Sequence, residues 1–383
     1  MSGFTFDTPP RLVCEDGAAL RLGALARELG MRRPLVVTDR GLLDAGVLAG
    51  PLDALGEAAD VALFADVRAD PPQDTVEAAA AMARDRGADG VIGLGGGSSL
   101  DTAKLAALLA RSGESLADVF GVERARGPRL PLIQVPTTAG TGSEVTPIAI
   151  VTTPTHEKVG VVARVLHADV AVLDATLTVG LPARVTAMTA VDAMVHAIEA
   201  YTSRRRKNVL SDTLAVRALA LLSRHLPRAV ADGADLDARR ALLQGAALAG
   251  MAFANAPVAA VHALAYPLGG HFGVPHGLSN ALVLHQVLAF NLPAADRMYA
   301  ELAPSLRATG SAAARPATGQ ALLDGLAELT AALPLERRLR EVGVAADDLP
   351  MLARDAMQVQ RLLVNNPRDV TYDDALAIYR AAL

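Results

Sequence analysis

A single cysteine, Cys14, in 383 residues leaves the chain without an intrachain disulfide framework. That suits a reducing compartment, and a cytoplasmic setting is the expectation. An excess of positive charge is also missing. The net charge is -5, from 36 Lys and Arg against 41 Asp and Glu. This excludes the basic footprint of a nucleic-acid-binding protein. The opening "MSGFTFDTPPRLVCEDGAAL" has no basic stretch leading into an apolar one, so no secretory signal is expected. No internal repeat or low-complexity tract stands out. Hydrophobic residues make up 51%, enough for a sizeable core, and the length allows two domains.

Charge is missing locally as well. Residues 241–270, "ALLQGAALAGMAFANAPVAAVHALAYPLGG", contain no Asp, Glu, Lys or Arg. A membrane helix needs about 20 strongly apolar residues. This stretch is rich in Ala and Gly and is interrupted by Gln244, Asn255, Pro257 and His262. It reads instead as buried helix inside a helical domain, with no membrane partner.

β-Branched runs are confined to the first half. "PLVVTD" (34–39), "DVALFAD" (60–66), "GVIGL" (90–94), "LPLIQVPTT" (130–138) and "DVAVLD" (169–174) read as strands. Helical composition separates them, as in "DTVEAAAAMARDRG" (74–87). This alternation predicts βαβ units and a doubly wound parallel sheet. After "GLPARVTAM" (180–188) the chain reads as successive Ala/Leu-rich helices, with Pro182 near the first helix start. The predicted division is an α/β, Rossmann-like domain over residues 1–182 and an all-helical domain over 183–383. The basic cluster "SRRRKN" (203–208) reads as a solvated loop.

Three segments of the first half carry chemistry. "GLGGGSSLDTAK" (93–104) leaves a strand and opens a helix. Its glycines allow close backbone approach, and the free N–H groups of the helix start favour a pyrophosphate. The spacing fits neither the dinucleotide fingerprint nor a Walker A loop. A packing turn capped by Ser98 or Ser99 is the other reading. Asp39 ends an earlier strand, where a carboxylate can bind an adenosine ribose and repel a 2′-phosphate, or can simply be a loop acid. "VPTTAGTGSEVTP" (135–147) places five hydroxyls among glycines after a strand, longer than a turn needs.

In the second half, "VDAMVHAIEAYTS" (191–203) sets Asp192 and His196 four residues apart. On a helix they stand about 40° apart in azimuth and about 6 Å along the axis, which makes a two-pronged platform. "VHALAYPLGGHFGVPHG" (261–277) adds His262, Tyr266, His271 and His276. Burying Asp192, His196, His262 and His276 unpaired in apolar surroundings costs a few kcal/mol each. A shared divalent ion satisfies all four, and one carboxylate with three imidazoles suits Fe²⁺ or Zn²⁺.

"GGGSSLDTAK", "PTTAGTGSEVT", "VDAMVHAIEAYTS" and "HALAYPLGGHFGVPHG", in this order, resemble the iron-containing (group III) alcohol dehydrogenases, as does the closing "NNPRDVTYDDALAIY" (365–379). The resemblance spans the chain. It implies a dehydroquinate-synthase-like architecture, with an active site in the cleft between a nucleotide domain and a helical metal domain. The ligands it implies are Asp192, His196, His262 and His276. The implied dinucleotide contacts are Asp39, Gly96, Gly97, Ser98, Thr137, Thr138, Thr146, Lys158 and Leu177, with NAD expected and NADP open.

The implied reaction is reversible hydride transfer between a small alcohol and nicotinamide, in a homodimer. Many members carry a second histidine four residues after the first ligand of the second stretch, often proposed as a proton relay; here that place is Tyr266. His271 is the other candidate for that role, and His285 is expected to be structural. Asp70 stands where an asparagine is usual. An oxo-acid reductase is the alternative, with residues 204–207 as a weak carboxylate clamp. A phosphate-binding lyase is disfavoured, because the metal motifs carry no Lys or Arg. A binding protein without catalysis is disfavoured by the intact ligand set.

Overall fold

Aliphatic runs bounded by glycine and proline form nine strands in the computed structural model, which describes residues 3–56, 59–154, 157–306 and 317–383. In chain order they are β1 (Leu12–Cys14), β2 (Pro34–Val37), β3 (Ala62–Phe64), β4 (Gly90–Gly95), β5 (Gly121–Val122), β6 (Leu132–Pro136), β7 (Ile148–Thr152), β8 (Lys158–Val162) and β9 (Val170–Leu173). Contacts divide the chain into two units. The first is Asp7–Thr138 with Gly142–Val179; the second is Gly180–Leu383 with residues 3–6 and Ala139–Thr141.

The first unit is a six-stranded sheet in the order β1-β9-β6-β4-β2-β3, parallel throughout. Strands β2, β4, β6 and β9 are buried at every residue, as expected of a parallel sheet covered on both faces. All five strands read from the sequence are present. The helix Gln73–Asp85 buries Val76, Ala79, Ala80 and Ala83, while Gly97–Ser112 starts at the last glycine of the turn, with Gly96 as its N-cap. Two things were not anticipated. β1 is only three residues long and half exposed, so it carries no pattern. β5, β8 and β7 form a separate small sheet, in which β7 and β8 are antiparallel and follow directly after the hydroxyl-rich loop.

A buried cation ties that loop to the sheet. Lys104, fully buried on the helix Gly97–Ser112, donates to Ser143 Oγ at 2.7 Å and to the Ile148 carbonyl at 2.6 Å. Its Nζ lies 3.5 Å from Asp101 Oδ1. Asp101 accepts from Ser143 Oγ at 2.5 Å and from Ile150 N–H at 2.9 Å. Burial pushes the Lys104 ammonium down and the Asp101 carboxyl up, and each offsets the other's shift. Half of the hydroxyl-rich loop is therefore structural.

The second unit is helical, with no strand among the described residues. The helix Ala183–Thr202, preceded by Pro182, is buried along most of its length. Val209–Ala231, Leu236–Asn255 and His276–Leu302 pack against it. The charge-free stretch is split by Pro257 into Leu236–Asn255 and Ala260–Phe272, bent by 106°. No described helix is long and apolar enough to cross a membrane. In the basic cluster, Arg204 pairs with Asp369 at 2.6 Å, and Lys207 pairs with Asp212 at 2.6 Å. Lys207 also lies 3.8 Å over the Tyr201 ring.

Removing one partner of a buried ion pair strands the other, at about 3–5 kcal/mol. Lys104→Met is therefore expected to lower stability by about 3 kcal/mol in urea unfolding. Adding Asp101→Asn should cost less than the sum of the two single changes. Additive losses would show that the two groups do not depend on each other.

Candidate metal centre and nucleotide cleft

Four side chains converge in the helical unit. Asp192 and His196 come from the helix Ala183–Thr202, His262 from Ala260–Phe272, and His276 from the first residue of His276–Leu302. One ligand atom from each lies within 4.8 Å of every other. Asp192 Oδ1 stands 3.5 Å from His276 Nε2, 3.8 Å from His262 Nε2 and 3.9 Å from His196 Nε2. These distances are too long for hydrogen bonds. They match the spacing of donors around one ion, because ligands at about 2.1 Å in tetrahedral array stand about 3.4 Å apart.

The protonation states fit the same reading. Burial pushes the His196 imidazole down to about 4, so it is neutral near pH 7 with a lone pair to offer. Burial alone would raise the Asp192 carboxyl, but the surrounding imidazoles and the Asn280 amide hold it below its usual value. His262 Nδ1 is 2.7 Å from Glu199 Oε2. A carboxylate accepts, so Nδ1 carries the proton and Nε2 turns its lone pair to the cluster. The same Glu199 also accepts from Ala259 N–H at 2.9 Å and Val261 N–H at 2.7 Å. Ala259 has no side chain that can cap the helix it precedes, and Glu199 from the neighbouring helix does so instead.

Asn280, one turn beyond His276, donates to Asp192 Oδ1 at 2.6 Å. Its amide nitrogen lies 3.3 Å from His262 Nε2 and 3.4 Å from His276 Nε2. Sequence reading missed both Glu199 and Asn280. The signals were present: Glu199 is three residues after His196, and Asn280 four after His276, on the same helix faces. Gly277 is a steric requirement. A Cβ there would meet the Met188 carbonyl oxygen at 2.4 Å, so only glycine lets the start of His276–Leu302 sit against Ala183–Thr202.

Tyr266 and His271 part company. The Tyr266 ring is 5.9 Å from the His276 ring, beside the cluster. His271 is 40% exposed, and its Nε2 is 2.6 Å from Asp355 Oδ2. It is not among the converging groups. His285 is exposed.

In the sheet-bearing unit, Asp39, Gly96, Gly97 and Ser98 line one cleft of about 830 Å³, together with Arg40 and Arg68. Asp39 also caps the helix Arg40–Asp44 by accepting from Leu42 N–H at 3.0 Å. A Cβ on Gly96 would lie 3.7 Å from Thr138, so Thr138 flanks the turn. Thr137 N–H donates to the Gly95 carbonyl at 2.9 Å, and its hydroxyl is buried without a partner. Lys158 reaches the turn through Asp70. Its Nζ is 2.8 Å from Asp70 Oδ1, and Asp70 N–H donates to Ser98 Oγ at 3.2 Å. The unusual Asp70 is thus the partner of a nearly buried lysine. Thr137, Thr138 and Lys158 thus adjoin the glycine turn without lining the cleft, and Thr146 and Leu177 lie elsewhere. Thr146 Oγ1 is 3.4 Å from Lys104 Nζ and belongs to the buried network. Leu177 packs in the apolar cluster with Leu94, Val170 and Val172.

If Glu199 sets the His262 tautomer, Glu199→Gln should weaken metal binding about 10–100-fold while leaving the far-UV spectrum unchanged. Competition against a coloured chelator measures this. Unchanged affinity would mean that helix packing alone orients the imidazole. Gly277→Ala should likewise displace His276, with lower metal occupancy and a lower melting temperature.

Comparison with known proteins gives the site its context. Residues 9–175 match the family model of the iron-containing alcohol dehydrogenases, and residues 186–383 match the model of the C-terminal part of the same family. Long-chain-alcohol dehydrogenase 1 of Geobacillus thermodenitrificans is 41% identical over 96% of this chain and 93% of its own. A crystal structure of 1,3-propanediol oxidoreductase covers 100% of both chains with a TM-score of 0.94 and 32% identity. The sulfoacetaldehyde reductase of Bifidobacterium kashiwanohense, solved with NAD⁺, covers 100% of this chain and 99% of its own at a TM-score of 0.89 and 28% identity. Matched over both units and along nearly its full length, the chain belongs to the iron-containing alcohol dehydrogenase family.

Proposed function

We propose that the chain is a metal-dependent, NAD(H)-linked alcohol dehydrogenase that interconverts small alcohols and aldehydes by reversible hydride transfer. The observation that carries this reading is the convergence of Asp192 Oδ1 with three imidazole Nε2 atoms in a buried helical site of a family member. Fe²⁺ is the ion we assign, with Zn²⁺ suited to the same donors. Once bound, the ion supplies Lewis-acid polarisation of the substrate oxygen, and the nicotinamide supplies the hydride acceptor.

The chain's own residues do the rest. Glu199 and Asn280 fix the orientation of His262 and Asp192 before any ion arrives. Buried helices keep water from three of the four ligands. The glycine turn 96–98, Asp39, Thr137, Thr138 and Lys158 are assigned to the dinucleotide, with Asp39 favouring NAD over NADP through repulsion of a 2′-phosphate. Thr146 and Leu177, also expected as dinucleotide contacts, sit in the buried Lys104 network and in an apolar cluster, and we give them no direct contact.

Tyr266, beside His276, is the side chain we assign to the substrate side. His271, held by Asp355, is the weaker candidate. We assign residues 1–182 to nucleotide binding and 183–383 to the metal, in a cytoplasmic homodimer.

Anaerobic reconstitution tests this. Protein stripped with a chelator should be inactive, and Fe²⁺ or Zn²⁺ should restore NADH oxidation with short aldehydes. His262→Ala should reduce the restored rate by at least about 10³-fold, the loss expected when Lewis-acid stabilisation worth several kcal/mol disappears. Failure of every aldehyde after full metal loading would overturn the reading. Asp39→Gly should raise kcat/KM for NADP about tenfold relative to NAD, the effect of roughly 1.4 kcal/mol of relieved repulsion. An unchanged ratio would remove Asp39 from the cofactor site.

A further inference from the structure

The four converging side chains are not equally covered. Asp192, His196 and His262 are 3–5% exposed, but His276 is 27% exposed. The cluster therefore opens along the edge of His276. Tyr266 stands on that edge. Beyond it, Arg361 on the short helix Gln360–Leu363 points its Nη2 at Tyr266 Oη, 3.4 Å away, with its guanidinium carbon 5.8 Å from the ring centroid. An arginine thus reaches to within one side chain of the metal ligands.

Its charge is uncommitted. Arg204, Lys207, Arg228 and Arg297 in the same unit each hold an acid within 3.1 Å. Arg361 has no carboxylate partner among the described residues; its interactions are with the Tyr266 hydroxyl and ring. The nearby Asp355 is held by His271 instead. A guanidinium offers two parallel N–H donors to a planar or tetrahedral oxyanion, and a phenol hydroxyl beside it adds a third. Residues 204–207, by contrast, have Arg204 and Lys207 already tied to acids.

We propose that Arg361 and the Tyr266 hydroxyl form an anion subsite at the open edge of the metal centre. Preferred substrates of this chain then carry a carboxylate or sulfonate a few bonds from the reacting carbon. This rests on the dehydrogenase reading above and names its substrate class. The reaction itself is unchanged: aldehyde and hydride give alcohol, with NADH oxidised and one proton taken up. Arg361 binds the far end of the molecule and touches no reacting atom.

The test uses metal-loaded full-length enzyme and matched aldehydes: 4-oxobutanoate against butanal, and 3-oxopropane-1-sulfonate against propanal. The wild type should show a higher kcat/KM for the anionic member of at least one pair. Which pair responds distinguishes a carboxylate from a sulfonate site. Arg361→Gln should lower the anionic-to-neutral ratio about 10–100-fold, mainly through KM, as expected for loss of a charge-assisted contact. Arg361→Lys should fall between, because a point charge replaces the fork.

Calorimetric titration with ethanesulfonate, a poor metal ligand, gives a readout without turnover. Binding should weaken with added salt and disappear in Arg361→Gln. Equal ratios in wild type and Arg361→Gln, with ethanesulfonate binding unchanged, would overturn the subsite. Absence of turnover for all four aldehydes would instead overturn the dehydrogenase reading on which it rests.

Discussion

The Asp192 carboxylate is buried in a helix whose other buried residues are mostly apolar, and the helical unit is built around satisfying it. A lone buried carboxylate is costly enough that it would protonate or unfold its surroundings. Here three imidazole nitrogens and the Asn280 amide face it, contributed by three helices. Each helix has to arrive in one register for this to happen. The Gly277 close approach and the Glu199 cap on the start of Ala260–Phe272 set two of those registers. Geometry suited to one divalent ion follows from the same packing that removes water.

The sheet-bearing unit solves a related problem differently. A parallel sheet buried on both faces leaves its polar chemistry at the carboxyl ends of the strands. The glycine turn after β4 and Asp39 after β2 share one cleft there. Lys104 works from beneath, linking Ser143 and Ile148 to the helix that follows the turn. On the cleft side, Asp70 links Lys158 to Ser98. Both lysines of this unit are largely covered, and they differ in their partners.

Side chains beside a metal centre divide in the same way. Glu199 is buried and pairs with His262. Tyr266 lies on the open edge, and Arg361 is exposed next to it. The first kind fixes geometry, and the second is at least partly exposed to solvent at the edge of the cluster. His271, close to Tyr266 in sequence, is paired with Asp355 and lies outside the converging groups.

Much was legible in the residues alone. The alternation of β-branched runs with helical segments decided the parallel sheet, because strand and helix periods differ and glycine marks the turns. The change after residue 182 marked where strands stop. Asp192 with His196, and His262 with His276, were visible because polar groups in charge-free stretches are costly and so need partners. Contacts from distant parts of the chain were not legible. That Glu199 meets His262, Asn280 meets Asp192, Asp70 meets Lys158 and Arg361 meets Tyr266 depends on packing between segments 63, 88, 88 and 95 residues apart. Side-chain periodicity reports which face of an element is apolar, but not which neighbour that face meets. Only the tertiary structure brings a particular donor to a particular acceptor, and here it set Glu199 and Asn280 against the converging side chains and left Tyr266 beside them.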